Sequence, residues 1–245
     1  MRPAFWLAAG GVVLAAIVAV VAILLLDPFS GSDGNGGESQ LQRTLRKMVL
    51  QLDDLPQGME AGSEKFITNE DAAQTGADPE EREALLESWG RLLGFEIAYK
   101  PASGTPTGLP VQGIDVSAAL FETEDGAAES FADAVKTAEE TDWAANYVGL
   151  TAFQQARIEA DAPVDEMVWL RLSGFQPGSG GAGALVTDDI IFFRIDTERG
   201  FMLVRAGSTE TQDRAHLQSQ VEGWLKALAE NVRGALPEVP SGDGG

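Results

Sequence analysis

The N-terminal region is dominated by an unbroken run of uncharged, almost entirely apolar residues, 4–26, between Arg2 and Asp27. At about 1.5 Å rise per residue, a helix of this length is roughly 35 Å long and crosses a bilayer core of about 30 Å with some tilt. A cleaved secretory signal has a shorter apolar stretch of about 7–15 residues followed by small residues. We therefore predict a retained single-pass transmembrane helix, with cleavage as the alternative.

Charges on either side of this run predict its orientation. Arg2 precedes it, whereas Asp27, Asp33 and Glu38 follow it before the next basic residue, Arg43. Positive charge is retained on the cytoplasmic side of a membrane helix. We expect a protein of the cell membrane with a cytoplasmic N-terminus and an extracytoplasmic C-terminal domain.

The rest of the chain divides into segments by composition. After the anchor (1–27), residues 28–40 are rich in Gly and Ser and predict a flexible linker. Residues 41–236 are long enough for one domain with a substantial core. The polar end, 237–245, predicts a disordered tail.

Composition excludes several classes of function. The net charge is −21, with 38 acidic and 17 basic residues, so the surface repels nucleic-acid phosphates and anionic lipid headgroups. The absence of cysteine excludes disulfides, thiol catalysis, thiolate metal sites and lipoprotein acylation. We expect no cofactor, no metal and no nucleic-acid partner.

Hydrophobic periodicity predicts the fold class. Apolar residues recur at helical spacing in four segments and alternate or cluster as strands between them. We predict helices over about 41–52, 78–93, 125–143 and 211–235, and strands over about 65–68, 95–99, 111–123, 149–159, 166–175, 184–196 and 200–207. Polar residues 68–76 read as a loop and 197–200 as a tight turn. This order predicts an α+β fold, an antiparallel sheet with helices packed on its faces, preceded by the transmembrane helix.

Catalytic motifs are absent from the sequence. His216 is the only histidine, and neither a G-x-S-x-G nor an S-x-x-K serine motif occurs. Adjacent carboxylates such as Asp188 and Asp189 point to opposite faces of a strand and make poor catalytic pairs. We predict a non-enzymatic protein without catalytic residues. An enzyme would instead need ionisable groups from separate elements to converge in one cleft.

Three arginines form the best candidate site. Arg171, Arg194 and Arg205 fall on three successive predicted strands, each between apolar neighbours. In a meander they could share one sheet face and bind the carboxylate or phosphate of a small anionic ligand. The alternative is that each pairs with an Asp or Glu.

The layout resembles a known class of bacterial domains. The turn Leu55-Pro56-Gln57-Gly58-Met59 follows a first helix, and the pattern from Ala118 to Phe131 joins a strand to a helix. Together with the arginine-bearing strands and the long last helix, this resembles membrane-tethered extracytoplasmic sensor-like and lipoprotein domains with a Mog1/PsbP-like α/β sandwich. The chain lacks the cysteines and the kinase domain of sensor kinases. The resemblance implies a non-catalytic ligand-binding or sensor-like module and transfers no site residue.

Two functions therefore remain open at the level of sequence. One is a membrane-anchored binding or sensor-like module. The other is an accessory or structural subunit of a larger membrane complex, which requires a membrane-protein partner and an exposed apolar patch.

Overall fold

A computed structural model describes residues 38–103, 111–177, 183–208 and 213–238. The predicted anchor over 4–26 and the tail from 239 onward lie outside these ranges, as does most of the predicted linker. Among the described helices, none has the length and apolar character needed to span a bilayer. The segment boundaries proposed from composition stay predictions.

The domain is built on one sheet of seven antiparallel strands in the order β1-β2-β3-β7-β6-β5-β4. Two meanders, β1-β2-β3 and β4-β5-β6-β7, join side by side through the β3–β7 pair. The strands are β1 (Met59–Ile67), β2 (Arg91–Pro101), β3 (Val111–Phe121), β4 (Thr151–Arg157), β5 (Glu166–Gln176), β6 (Ala184–Ile195) and β7 (Glu198–Ser208).

Helices cover both sides of the sheet, which confirms the predicted α+β class. They are α1 (Gln40–Met48), α2 (Asn69–Ala73), α3 (Pro79–Ser88), α4 (Glu124–Glu140), α5 (Trp143–Asn146) and α6 (Asp213–Ala235), with short 3-10 turns at Leu52–Asp54 and Leu236–Glu238. Apolar side chains of α1 and α6 pack on one side, here called the α6 face. Those of α3, α4 and α5 pack on the opposite side, the α4 face.

Helix starts follow local capping chemistry. Asp78 accepts a hydrogen bond from the Glu81 backbone N–H (3.2 Å), and Pro79 occupies the first turn of α3, close to the predicted helix start at residue 78. Thr68 and Asp71 form a capping box that starts α2. The polar segment 68–76 was therefore wrongly predicted as loop, because its capping residues were not recognised.

Two chain reversals differ from prediction and shape the α4 face. Helix α3 ends at Ser88, and Gly90 reverses the chain with a φ of +67°, so the helix predicted over about 78–93 is too long. The β6–β7 turn lies at Asp196 and Thr197, with Asp196 at φ +49°, and β7 already begins at Glu198. Both changes move an arginine, Arg91 and Arg199, into the sheet.

Candidate functional site

Arg171 and Arg205 lie on opposite faces of the sheet. Arg171 is on the α6 face, where Nε and Nη2 donate to Asp189 at 2.7 and 2.9 Å. The Trp169 indole N–H donates to the same carboxylate at 2.9 Å. Arg205 is on the α4 face and donates twice to Asp188, at 3.0 and 3.2 Å. The prediction that the three arginines share one face is wrong.

Arg194 is on the α4 face but far from Arg205. Its guanidinium bonds to Glu166 at 2.7 Å and approaches Asp165 at 3.6 Å. In the β6–β7 register Arg194 stands opposite Arg199 and Asp188 opposite Arg205. At about 3.3 Å per residue, the two positions are about 20 Å apart. Carboxylates hold each of the three arginines proposed from the sequence, so these residues do not form one site. Their pairing agrees with the alternative interpretation.

A cavity of about 140 Å³ lies elsewhere on the α4 face, beneath helices α2, α3 and α4. Small residues on the two adjacent strands β2 and β3 leave this space above the sheet. Its surface is mostly apolar. The floor and walls include Gly94, Ser117, Ala119, Phe192 and Phe201, and the helices contribute Ala72, Leu86 and Ala134.

Three guanidinium groups line this cavity: those of Arg82 from α3, Arg91 from β2 and Arg199 from β7. In the sheet register Gly94 stands opposite Ala119, which in turn stands opposite Arg199. An irregularity in the β2–β3 register between Arg91 and Leu93 places the Arg91 side chain on the α4 face. The small side chain of Ala119 therefore lies between Gly94 and Arg199 in one cross-strand row, and the Arg91 guanidinium reaches the same row by resting on Gly94.

Hydrogen bonds hold the first two arginines, Arg82 and Arg91, in place. Arg82 donates to Asp133 of α4 at 2.7 Å, and its guanidinium lies over the Trp89 ring at 5.3 Å. Arg91 Nη1 donates to the Ile67 carbonyl at 3.1 Å and to the Asn69 side-chain oxygen at 2.9 Å. These neutral oxygen atoms orient Arg91 without neutralising its charge.

Carboxylates compensate the charges of Arg91 and Arg199 only from a distance. Within the described ranges neither forms an ion pair, and the inaccessible Nε of Arg199 has no hydrogen-bond partner there. Burial, together with the positive charges of Arg199 and Arg82, lowers the pKa of Arg91 to about 9, and Asp71 opposes this shift. Burial and the charge of Arg82 likewise lower the pKa of Arg199 to about 10, and the carboxyl groups of Glu198 and Asp133 oppose this shift. The three groups are thus close enough to repel one another.

Carboxylates and a lysine surround the other end of the cavity. Lys65 approaches Asp71 at 3.6 Å, so these two charges largely compensate. Glu96 stands opposite Ser117 in the register and is only 6% exposed. Burial raises the pKa of Glu96 to about 7; Lys65 opposes this shift, and Asp115 adds to it.

This arrangement suits the binding of an oxyanion. Guanidinium N–H groups match the geometry of carboxylate and phosphate oxygens and form charge-assisted hydrogen bonds with them. The cavity lining contains no histidine, cysteine or tyrosine. Across the described part of the chain, no group of three or more Asp, Glu or His side chains is placed to hold a metal ion.

Sequence reasoning missed all three arginines of the cavity. For Arg199 a signal existed, since Arg199, Phe201, Leu203 and Arg205 alternate with period 2, as one face of a strand does. For Arg91 the signal was hidden, because Leu92 and Leu93 fit the helical spacing of the preceding segment.

Comparison with known proteins adds little about function. No protein-family model matches the chain, and no curated protein matches its sequence. The structure is similar to the extracellular domain of PknH from Mycobacterium tuberculosis, with a TM-score of 0.44 and 10% identity, covering 83% of this chain and 100% of that chain. A STAR-related lipid transfer protein from Xanthomonas axonopodis matches with a TM-score of 0.20 and 10% identity, over 56% of this chain and 93% of that one. Such low similarity supports no functional argument, and the Mog1/PsbP-like resemblance stays a prediction.

Proposed function

We propose that this chain is a membrane-anchored, extracytoplasmic binding module of the sensor-like type, and that it takes a small anion into the cavity on the α4 face. The observation that carries the proposal is the pair Arg91 and Arg199, two poorly exposed guanidiniums that face one cavity and form no direct ion pair with any described residue. Removing an unpaired charge from water costs several kcal/mol. An anion in the cavity offsets this cost for both groups, so binding and stability are coupled.

The anchored, extracytoplasmic placement rests on the N-terminal sequence. The apolar run at 4–26 has the length of a bilayer span, and Arg2 is the basic residue on its cytoplasmic side. A tethered domain with a ligand cavity is suited to reporting the concentration of that ligand outside the cell.

The binding test uses the full-length chain in mild detergent. Phosphate, sulfate and acetate are titrated while the melting temperature is followed by tryptophan fluorescence. Specific binding raises the melting temperature saturably in at least one of these titrations. Arg199→Gln abolishes that rise, although it leaves the ligand-free protein as stable as before or more stable, because it removes a buried unpaired charge.

The matched control is Arg157→Gln, which removes an arginine of an exposed ion pair with Glu139. This variant keeps the full anion response. A wild-type protein without saturable stabilisation, or an Arg199→Gln variant that responds like wild type, contradicts the proposal.

A second candidate is an accessory subunit of a membrane complex. Two exposed apolar side chains support it: Val148 is 92% exposed in the loop before strand β4, and Phe175 on the neighbouring β5 is 40% exposed. Native mass spectrometry after gentle detergent extraction from the native membrane separates the candidates. A stoichiometric protein partner that is lost in Val148→Ser favours the accessory subunit.

Catalysis is a further candidate, because ionisable groups from several elements converge in the cavity. Glu96 could accept a proton near neutral pH, as a general base does. The lining offers no histidine or cysteine as a nucleophile, which is why we favour binding. Proton NMR of the bound ligand over time distinguishes the two, since turnover that stops in Glu96→Gln requires an enzyme.

A further inference from the structure

We infer that the ligand is a compact organic monoanion, a carboxylate on an apolar body about the size of a benzene ring or a branched C3–C4 chain. This inference rests on the proposed function and specifies its ligand class. It follows from the volume of the cavity, the chemistry of its walls and the number of uncompensated charges.

Volume limits the size of the ligand. The cavity measures about 140 Å³, close to the roughly 150 Å³ of an engineered protein cavity that admits benzene. Pockets for drug-sized ligands and cofactors are larger, about 300–1,000 Å³. A small carboxylic acid therefore fits within the cavity, whereas most of a nucleotide or sugar phosphate would extend out of its open side.

The walls favour an apolar body on that acid. Phe192 and Phe201 contact each other with ring centroids 5.4 Å apart and an interplanar angle of 53°, and both border the cavity. Leu86 and Ala134 cover it from the helices. Such walls offer water few hydrogen bonds. An apolar group that displaces the water stabilises the complex in proportion to the apolar area buried. An inorganic anion leaves these walls uncovered.

The balance of charges around the cavity favours a ligand with a single negative charge. The positive charge of Arg82 is offset by Asp133, and that of Lys65 by Asp71. Arg91 and Arg199 remain, with Glu96 on the same cavity. Once Glu96 is ionised, the uncompensated charge of the cavity is close to one, so a second negative charge on the ligand is repelled.

Gly94 fixes where the anion meets Arg91. A Cβ at Gly94 would overlap Nη2 of Arg91, so the guanidinium rests on the bare backbone of β2. Gly94→Ala therefore displaces one donor without changing any charge. The displaced group is the far end of a flexible side chain, so the fold tolerates this substitution better than a backbone clash.

The test is isothermal titration of the full-length chain at pH 8 with benzoate, isobutyrate, acetate, phosphate and the neutral analogue benzamide. We expect benzoate or isobutyrate to bind at least tenfold more tightly than acetate and phosphate, and benzamide to show no binding. Gly94→Ala weakens the preferred acid at least tenfold, and Arg199→Gln removes its binding.

Filling the cavity provides an independent check. Ala134→Leu places a larger side chain in the roof of the cavity and abolishes binding of the organic acids. Ala132→Leu, on the exposed side of the same helix, is the matched control and leaves binding unchanged. Melting temperatures of both variants confirm that they fold.

The outcomes separate this inference from the proposed function. Phosphate or sulfate binding more tightly than every monocarboxylate, still dependent on Arg199, overturns the ligand class and leaves the anion-binding function standing. Equal affinity for benzoate and benzamide also overturns the inference, because the charge then contributes nothing. Absence of any Arg199-dependent anion binding overturns both.

Discussion

Substitution of Asp189 by alanine tests the polar cluster that forms around it on the α6 face. Asp189 is fully buried and accepts three hydrogen bonds, two from Arg171 and one from the Trp169 indole. The side chain of Arg171 is only 11% exposed. Asp189→Ala therefore leaves the Arg171 guanidinium and the Trp169 indole N–H buried without their hydrogen-bond acceptor.

The expected loss in the free energy of unfolding follows from these two unpaired donors. Breaking a buried ion pair by removal of one partner costs about 3–5 kcal/mol. The unpaired indole N–H moves the expected loss of stability toward the upper end of that range. The Arg171 guanidinium still lies over the Trp169 ring, with Cζ 5.5 Å from the ring centroid, and this contact retains part of the stabilisation. We expect a loss of about 4 kcal/mol, a large share of the 5–15 kcal/mol typical of a domain.

A double variant separates the stranded charge from the loss of packing. Arg171→Met with Asp189→Leu replaces both charged side chains by apolar ones. Such replacements are often neutral or stabilising, so we expect the double variant to recover most of the loss. The residual cost belongs to the indole N–H of Trp169, which stays unpaired.

The assay is urea unfolding of the full-length chain in one buffer and detergent, followed by far-ultraviolet circular dichroism. Glu139→Ala is the control, because it breaks the exposed pair with Arg157 and costs less than about 1 kcal/mol. The reasoning is refuted if Asp189→Ala costs no more than this control. It also fails if the double variant is less stable than Asp189→Ala.

Three further predictions concern other parts of the fold. Because burial raises the pKa of Glu96 from its ordinary 4.5 to about 7, the folded state keeps a proton that the unfolded chain loses. The contribution of Glu96 to stability is complete below pH 4.5 and is lost as the pH rises through 7. Relative to Glu96→Gln, the free energy of unfolding of wild type should fall by about 3 kcal/mol over this window, as measured by urea titrations at several pH values. Gly126→Ala, whose Cβ would overlap the backbone carbonyl oxygen of Trp89, should cost about 1–3 kcal/mol, and an unchanged melting temperature would contradict the close approach. Asp78→Ala removes the cap of α3 and should cost about 1 kcal/mol, whereas Asp78→Asn should retain most of it in the same unfolding assay.

Local chemistry made much of the fold predictable. The Asp78-Pro79 start of α3, the alternation from Ile114 to Leu120 in β3 and the apolar stripe of α6 are each set by residues close in sequence. Antiparallel pairing followed from the order of the strands and their short connections. These features require no knowledge of distant residues, because caps and periodicity act within one element.

The faces of the central strands were not predictable in the same way. Val168, Trp169 and Leu170 are buried in succession on β5, as are Ile190 to Phe193 on β6, because helices cover both faces of the sheet. Without an apolar and polar alternation, sequence does not say which way a neighbouring arginine points. The sequence therefore did not predict that Arg171 lies on the α6 face while Arg194 and Arg205 lie on the α4 face.

The cavity arginines depend even more on tertiary structure. Arg91 reaches the α4 face through the register irregularity in β2, Arg199 through the position of the β6–β7 turn, and Arg82 through its bond to Asp133 on another helix. By itself, the sequence determined the composition, the charge, the individual elements and the antiparallel class, since these arise from neighbouring residues. The meeting of three guanidiniums around one cavity was decided only in the folded chain, because strand register and helix packing bring together residues that are distant in sequence.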